Sequence, residues 1–453
     1  MNGNLPDCYK YEHIREYFYI QIGNGHIMLL HCERISDMYI YTVVPGDTLA
    51  GISARLGLPQ SVIAYANGLR EPYSLTPGQA LLILNGARTY TVQSGDSIYT
   101  IAARFGISAN MLWRMNPSLA GGSTIYPGQT LVIYLPPNEN PPLVATGYAY
   151  PFINTAVLRT TLPYLDYLAI FSYGFRADGS LVTADDDELL KISAEYGVKP
   201  MFVLTSLGDD GRFSSEAVSE MLTSPTVQQT LINNIVETAS RKGYAAVNSD
   251  LEYIPPEDRE EYNTFIRNLA DALHAVGIEL TVSLAPKTSD EQTGLLYEAI
   301  DYASLGAAAD RVLLMTYEWG YTYSEPRAVA PINNVAAVVD YALTVIPREK
   351  IDLGMPNYGY DWQLPWVEGT PARAIGNIAA QELAIERGVM IMYDETAETP
   401  YFNYTAEDGS QRVVWFEDAR SIASKLELSR NRGLGGIGIW QIMRWFPQLW
   451  LQT

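Results

Sequence analysis

The sequence predicts an α/β protein: a (β/α)8 TIM barrel with a small α+β insertion between strands seven and eight, preceded by two small βααβ modules. Three observations carry this. A unit of about 45 residues occurs twice near the start, at 38–84 and 89–134. Eight short apolar runs then alternate with helical stretches over residues 145–453. Between the two parts lies LPPNENPPLV at 135–144, whose prolines read as an extended, semi-rigid linker. At roughly 150 residues per domain the chain has room for about three. With 47% hydrophobic residues it can bury a large core, which excludes wholesale disorder.

The repeat is explicit. Tyr41 maps to Tyr90 at a spacing of 49, and Pro77-Gly78-Gln79 maps to Pro127-Gly128-Gln129 at 50, so one insertion separates two copies. Each copy opens with an alternating strand, Tyr41-Thr42-Val43 or Tyr90-Thr91-Val92, and turns at Gly-Asp. Thr48 and Ser97 stand where a helix N-cap is wanted. Leu49, Ile52 and Leu56, and likewise Ile98, Ile101 and Phe105, recur at helical spacing. Gly57 and Gly106 stop these helices. A second short helix ends near Asn67 or Asn116, and the Pro-Gly-Gln turn leads into a closing strand.

Residues 1–37 differ from everything downstream, holding both cysteines and three of the four histidines. The spacing of Cys8, His13, His26, His31 and Cys32 fits no common zinc pattern, so a poorly ordered leader is expected over a metal cluster. The start lacks the basic and apolar regions of a secretory signal, and Met38, directly before the first repeat, is an alternative translation start.

The eight strand candidates are 146–153, 167–172, 200–204, 246–250, 279–284, 311–317, 350–355 and 436–441. Eight strands alternating with helices over this length favour barrel closure, with a doubly wound open sheet as the other arrangement. Residues 366–417 break the alternation: a helix precedes MIMYD, PYFNYT and RVVWFE, which read as the insertion.

Charge and rare residues narrow the chemistry. Thirty Lys and Arg against 51 Asp and Glu leave a net charge of −21, which repels phosphate backbones and anionic membranes. No apolar run approaches the ~20 residues of a membrane span. Beyond Glu33 there is one histidine and no cysteine, so a Cys nucleophile or a His/Cys zinc site in the main domain is excluded. A Ser-His-Asp triad could use only His274, whose helical run NLADALHAVG suits a helix-surface residue. Carboxylates, tyrosines and backbone remain.

Barrel active sites draw on the C-terminal ends of strands. Strand four reads AAVNSDLEY at 245–253, and alternation puts Asn248, Asp250 and Glu252 on one face, about 6.6 Å apart per pair. Pointing such groups inward has no hydrophobic reason and is costly without partners or function. Strand six ends Leu314-Met315-Thr316-Tyr317-Glu318-Trp319, and strand eight ends at Trp440 and Gln441. Aromatic faces and carboxylates together suit a sugar, while Trp440 also has a plain core reading.

These motifs carry two resemblances. The pattern YTVxxGD…N…PGQ, present twice, resembles the LysM module. That implies recognition of β-1,4-linked N-acetylglucosamine in peptidoglycan or chitin, in a groove between two loops. Carried over, these are Gly46-Asp47-Thr48 with Asn67 to Pro77, and Gly95-Asp96-Ser97 with Asn116 to Pro127. Asp47, Thr48, Asp96 and Ser97 are thus candidate ligand residues, though the same Gly-Asp and PGQ residues also serve turn chemistry.

DxDxE-like strand four, Met315-x-Tyr317-Glu318 and Trp440 resemble family 18 glycoside hydrolases. With MTYEWG, AVAPINNV and GMPNYGYDW they are similar to the LysM-bearing spore enzymes that degrade cortex fragments, a subgroup that implies N-acetylglucosaminidase activity. The resemblance implies substrate-assisted retention. Glu252 would be the acid, Asp250 would orient the acetamido N–H, Tyr317 would hold the acetamido oxygen and Trp440 would floor the sugar. Met315, Glu318 and Tyr358 would also meet substrate. No metal or other cofactor is called for.

Two departures stand out. The family pattern DxxDxDxE has Ala245 and Asn248 at its first two acids, and Glu318 replaces an Asp. Asn248 cannot take a proton from Asp250, which predicts a shifted pH optimum. The close pair Asp250 and Glu252 should raise one of their pKa values. A monomer acting on peptidoglycan and made without a signal peptide is expected, and the resemblance implies deposition on the spore surface. Chitin oligosaccharides as substrate, or a non-catalytic wall-binding protein, are the alternatives.

Overall fold

The computed structural model describes residues 16–22, 26–35, 38–135 and 141–453. The metal question for the leader, with Cys8 and His13 in 1–15, lies outside the described residues, as do linker residues 136–140. Two stretches of the leader, read from sequence without strands, form β1 (Glu16–Ile22) and β2 (His26–Ile35). Both are rich in β-favouring aromatic and branched residues.

The first module consists of β3 (Met38–Thr42), two helices (Leu49–Leu56 and Gln60–Asn67) and β4 (Ala80–Leu84). Its antiparallel sheet runs in the order β1-β2-β3-β4. The second module repeats the plan with β5 (Arg88–Thr91), helices Ile98–Phe105 and Ala109–Arg114, and β6 (Thr130–Tyr134). Thr48 and Ser97 cap their helices as the sequence indicates, and Gly57 and Gly106 end them at positive φ. Asn67 and Asn116 do the same work in each copy. The Asn67 amide donates to Ile63 and Leu82 carbonyls and its oxygen accepts from Leu82 N–H. Asn116 repeats this with Leu112 and Val132.

The main domain is a closed parallel barrel. Its strands are β7 (Val144–Ala149), β8 (Tyr167–Phe175), β10 (Lys199–Leu204), β11 (Ala246–Ser249), β12 (Glu279–Leu284), β13 (Arg311–Leu314), β14 (Ile351–Pro356) and β20 (Gly436–Trp440). They pair in chain order, and β20 closes onto β7. The two-residue β9 (Leu181–Val182) only folds back on β8. Alternation divides each strand: on β8, Leu168 and Ile170 join the core beneath the helices, while Tyr167, Ala169 and Phe171 fill the barrel interior.

The insertion begins earlier than the sequence suggests, at 359 rather than 366. Its strands are β15 (Gly359–Leu364), β16 (Arg373–Ile375), β17 (Met392–Asp394), β18 (Thr399–Thr405) and β19 (Gln411–Trp415), with the helix Asn377–Arg387 after β16. They form an antiparallel sheet ordered β16-β15-β19-β18-β17. The GYDWQL run pairs with Trp415 and Val414 far downstream, a partnership that local pattern does not show. Among the described residues no helix is long and apolar enough to cross a membrane.

Candidate active site

Strand β11 carries its side chains by parity. Val247 and Leu251 point outward into the helix-packed core, and Ser249 Oγ lies 3.4 Å from Tyr262 Oη on the covering helix. Ala246 faces the barrel interior, as does Asn248, fully buried, whose Oδ1 accepts from Ser283 Oγ at 3.2 Å. Ser283 lies on β12, two residues past Thr281, the partner of Asn248 in the ladder. Asp250 extends the ladder beyond the strand: its amide donates to Leu204 O at 2.8 Å. The backbone then turns, with Tyr253 at φ 56°, a left-handed conformation that a tyrosine rarely adopts. Glu252 therefore stands at the C-terminal rim of the barrel.

Burial governs the electrostatics here. It raises Asp250 to about 6 against the lowering effect of a Ser283 hydrogen bond. It raises Glu252 to about 8, with the Asp250 charge and then the Glu318 charge adding to it. The sequence anticipates one raised carboxyl; both are raised, because both leave water. Two polar atoms in this cluster, Asn248 Nδ2 and Asp250 Oδ1, are buried without a hydrogen-bond partner in the chain. A group on a substrate could satisfy both, and leaving them unmet is costly.

Tyr317 comes from the turn after β13. Thr316 anchors that turn by donating its hydroxyl to Gly354 O at 2.7 Å. Gly354 is needed for the approach: a Cβ there would stand 2.2 Å from Leu314 O and 2.9 Å from the Tyr317 ring. Burial, followed by the charge of Asp250, holds the Tyr317 hydroxyl well above its ordinary pKa, so it stays a donor. Met315 is half-buried against the interior cluster. Glu318 is exposed with φ 64° and accepts from Tyr358 Oη at 3.0 Å and Tyr360 Oη at 3.4 Å.

Trp440 ends β20, half-buried, with its ring 4.8 Å from Phe171, 5.9 Å from Tyr150 and 6.0 Å from Tyr148. Next to it Tyr150 stacks on Phe152 at 5.1 Å, and Phe152 is 77% exposed. The mouth thus brings aromatic rings and carboxylates together.

Sequence reasoning passed over Tyr148, Ser283 and Tyr360. Tyr148 is buried near Asp250, and burial with that charge raises its hydroxyl. The available signal was alternation: in ELTVSL of β12 the polar residues Thr281 and Ser283 fall on the inward face. His274 sits on the outer helix Arg259–His274, its Nε2 2.8 Å from Asp310 Oδ2, away from β11.

In the modules, the candidate ligand residues have partners within their own unit. Asp47 accepts from Tyr41 Oη, Val44 N–H and Arg55, and Asp96 repeats this with Tyr90, Gln93 and Arg104. Thr48 and Ser97 spend their hydroxyls on the helix caps.

Residues 168–444 match the glycosyl hydrolases family 18, and residues 41–83 and 90–133 match the LysM domain. The chain is 39% identical to the cortical fragment-lytic enzyme of Bacillus subtilis (strain 168), covering 91% of this chain and 97% of that protein. The Bacillus anthracis protein of the same name is 38% identical, over 91% and 96%. Among solved structures, the Bacillus cereus spore cortex-lytic enzyme SleL superposes with a TM-score of 0.78 at 37% identity, over 92% of this chain and 97% of that one. With a family match across most of the barrel and relatives similar over nearly the whole length, this chain belongs to glycosyl hydrolase family 18 and is a glycoside hydrolase carrying two LysM domains.

Proposed function

We propose that the protein is an N-acetylglucosaminidase that cleaves after N-acetylglucosamine in spore cortex fragments, with retention and with the substrate's own acetamido group as nucleophile. The observation that carries this is the buried, partnerless Asp250 Oδ1 beside a carboxyl held protonated at neutral pH. One acid suffices when the nucleophile belongs to the sugar. Glu252 donates its proton to the glycosidic oxygen as the C1–O bond breaks, and the acetamido carbonyl oxygen forms the new bond to C1. Asp250 Oδ1 accepts the acetamido N–H and balances the positive charge that develops on the ring so formed. Tyr317 donates to the acetamido oxygen, and Trp440 supports the sugar face. Water then attacks C1, giving its proton to the Glu252 carboxylate, and two inversions return the starting configuration.

The LysM domains support glycan targeting, which raises the enzyme's local concentration at an insoluble polymer. The cortex is chosen over other glycans because relatives spanning nearly the whole chain are cortex-lytic, and a spore location follows from that choice. The test is product analysis by mass spectrometry after incubating the protein, and a Glu252→Gln variant, with cortex fragments and with chitin oligosaccharides. New N-acetylglucosamine reducing ends from cortex, absent with the variant, are expected. Cleavage of chitin oligosaccharides alone would make the protein a chitinase. Binding without cleavage of either would make it a wall-binding protein.

A further inference from the structure

The two LysM copies agree in their internal scaffold and differ in what surrounds their loops. In the first copy the end of the loop before the closing strand, Thr76 to Gln79, packs against the insertion, while Arg70 to Pro72 and Ser74 stay exposed. Thr76, 3% exposed, donates its hydroxyl to Val389 O at 2.6 Å. Pro77 O accepts from Ile391 N–H at 3.0 Å, and Gly78 O accepts from Arg420 at 3.1 Å. Gln79 is fully buried and donates to Gln381 at 3.1 Å, while Gln448 donates to Asn67 and Ala80. Met38, Ile40, Leu82 and Leu84 share one apolar cluster with Ala419, Ala423 and Leu451 of the barrel. The Thr76 to Gln79 end of this loop, next to the closing strand, is an internal surface of the catalytic unit.

In the second copy the barrel reaches the first half of the equivalent loop, where Thr160 donates to Pro117 O at 3.2 Å and Tyr196 packs on Trp113 and against Gly121, at which a Cβ would stand 1.5 Å from the tyrosine oxygen. The rest is open: Tyr126 is 68% exposed where the first copy has the buried Thr76. Tyr99, 62% exposed on the first turn of its helix, stands where the first copy has Ala50. Trp113 underlies Tyr99 edge-on at 6.5 Å, and its Nε1 donates to Gly122 O of the loop at 3.0 Å. The ring is thereby tied to the loop that carries Tyr126. Large exposed aromatics held by a fixed support are what a sugar face needs, and an alanine and a buried threonine offer none.

We propose that the copies divide the work: the second holds the N-acetylglucosamine-containing glycan through Tyr99 and Tyr126, and the first is a brace built into the barrel. This rests on the glycan-targeting role proposed above. The test is sedimentation of the full chain with purified, insoluble cortex sacculi, in a Glu252→Gln background so that the polymer persists. Tyr99→Ala with Tyr126→Ala is expected to weaken binding roughly tenfold, the size of effect an aromatic anchor carries. Tyr99→Phe with Tyr126→Phe should keep most of it, because the ring face makes the contact. Ala50→Glu, the matching exposed position of the first copy, is expected to leave binding unchanged. Thermal melts check that each variant is folded. Full binding by the double alanine variant would overturn the proposal, and so would an equal loss from Ala50→Glu. A parent chain that does not sediment would remove the targeting role itself, and the proposal with it.

Discussion

Tyr358 donates its hydroxyl to Glu318 at 3.0 Å, and so fixes a third carboxylate at the rim where Glu252 stands. Tyr360 reaches the same oxygen from 3.4 Å, and the left-handed φ of 64° at Glu318 aims the side chain at both rings. The family pattern recognised in the sequence has an aspartate at this position, one methylene shorter. The longer side chain is held in place, and its negative charge adds to burial and to Asp250 in keeping Glu252 protonated.

Glu318→Gln removes that charge and keeps the length. With less negative charge nearby, Glu252 loses its proton more readily, so its pKa falls. The alkaline limb of the kcat profile, which reports the protonated acid, is expected to move down by about half a pH unit. The measurement is kcat against pH on a soluble oligosaccharide. A limb that stays in place would mean that Glu318 does not act on Glu252.

Asn248→Asp places a carboxyl in a fully buried position beside Ser283, two residues before Asp250. A like charge there disfavours ionisation of both site carboxyls, so each pKa rises. The whole bell of kcat/KM against pH is therefore expected to shift upward. A curve superposing on that of the wild type would refute the role given to the neutral amide.

Stability carries the same signature with a definite sign. In the unfolded chain a glutamate titrates near ~4.3, whereas burial raises folded Glu252 to about 8. Between these values the folded chain keeps a proton that the unfolded chain has released, so stability falls as pH rises through the window. Glu252→Gln cannot ionise and escapes this loss. It is expected to be more stable than the wild type by up to about 5 kcal/mol at pH 8.5 and equal to it near pH 4. Denaturant melts at the two pH values measure this, and a constant difference between them would contradict it.

Parity made the centre of the site legible. Asn248, Asp250 and Glu252 interrupt an apolar strand at every second position, and no packing argument explains them. Thr281 and Ser283 of ELTVSL repeat that alternation with hydroxyls in place of the amide and carboxyls, a weaker signal, and Tyr148 gave none, since one tyrosine in VATGYA is ordinary core composition. Parallel pairing, which sets β12 beside β11, and barrel closure, which brings β7 round beside β20, carry Ser283 and Tyr148 to Asp250. The docking of the first module was hidden for a related reason. Thr76 and Gln79 look like turn residues, and their partners Val389 and Gln381 lie more than 300 positions away.

That docking makes the two Pro-Gly-Gln turns a matched pair for substitution. Gly78 has φ 81° and Gly128 has φ 89°, so alanine at either meets the same backbone penalty, about 1 kcal/mol. The surroundings differ. A Cβ at Gly128 finds nothing within 4 Å, whereas at Gly78 it would stand 1.8 Å from Ile391 O, a backbone atom with no rotamer to move. Relief requires the loop to part from the insertion, losing the Ile391 N–H bond to Pro77 and straining the Arg420 bond to Gly78. Gly78→Ala is therefore expected to cost about 3 kcal/mol or more and Gly128→Ala only about 1. Calorimetry on the full chain reads both, and the barrel transition should move only in Gly78→Ala, because its core includes the first module. Equal shifts in the two variants would mean that the first module hangs free of the barrel, and the division of labour between the copies would lose its structural basis.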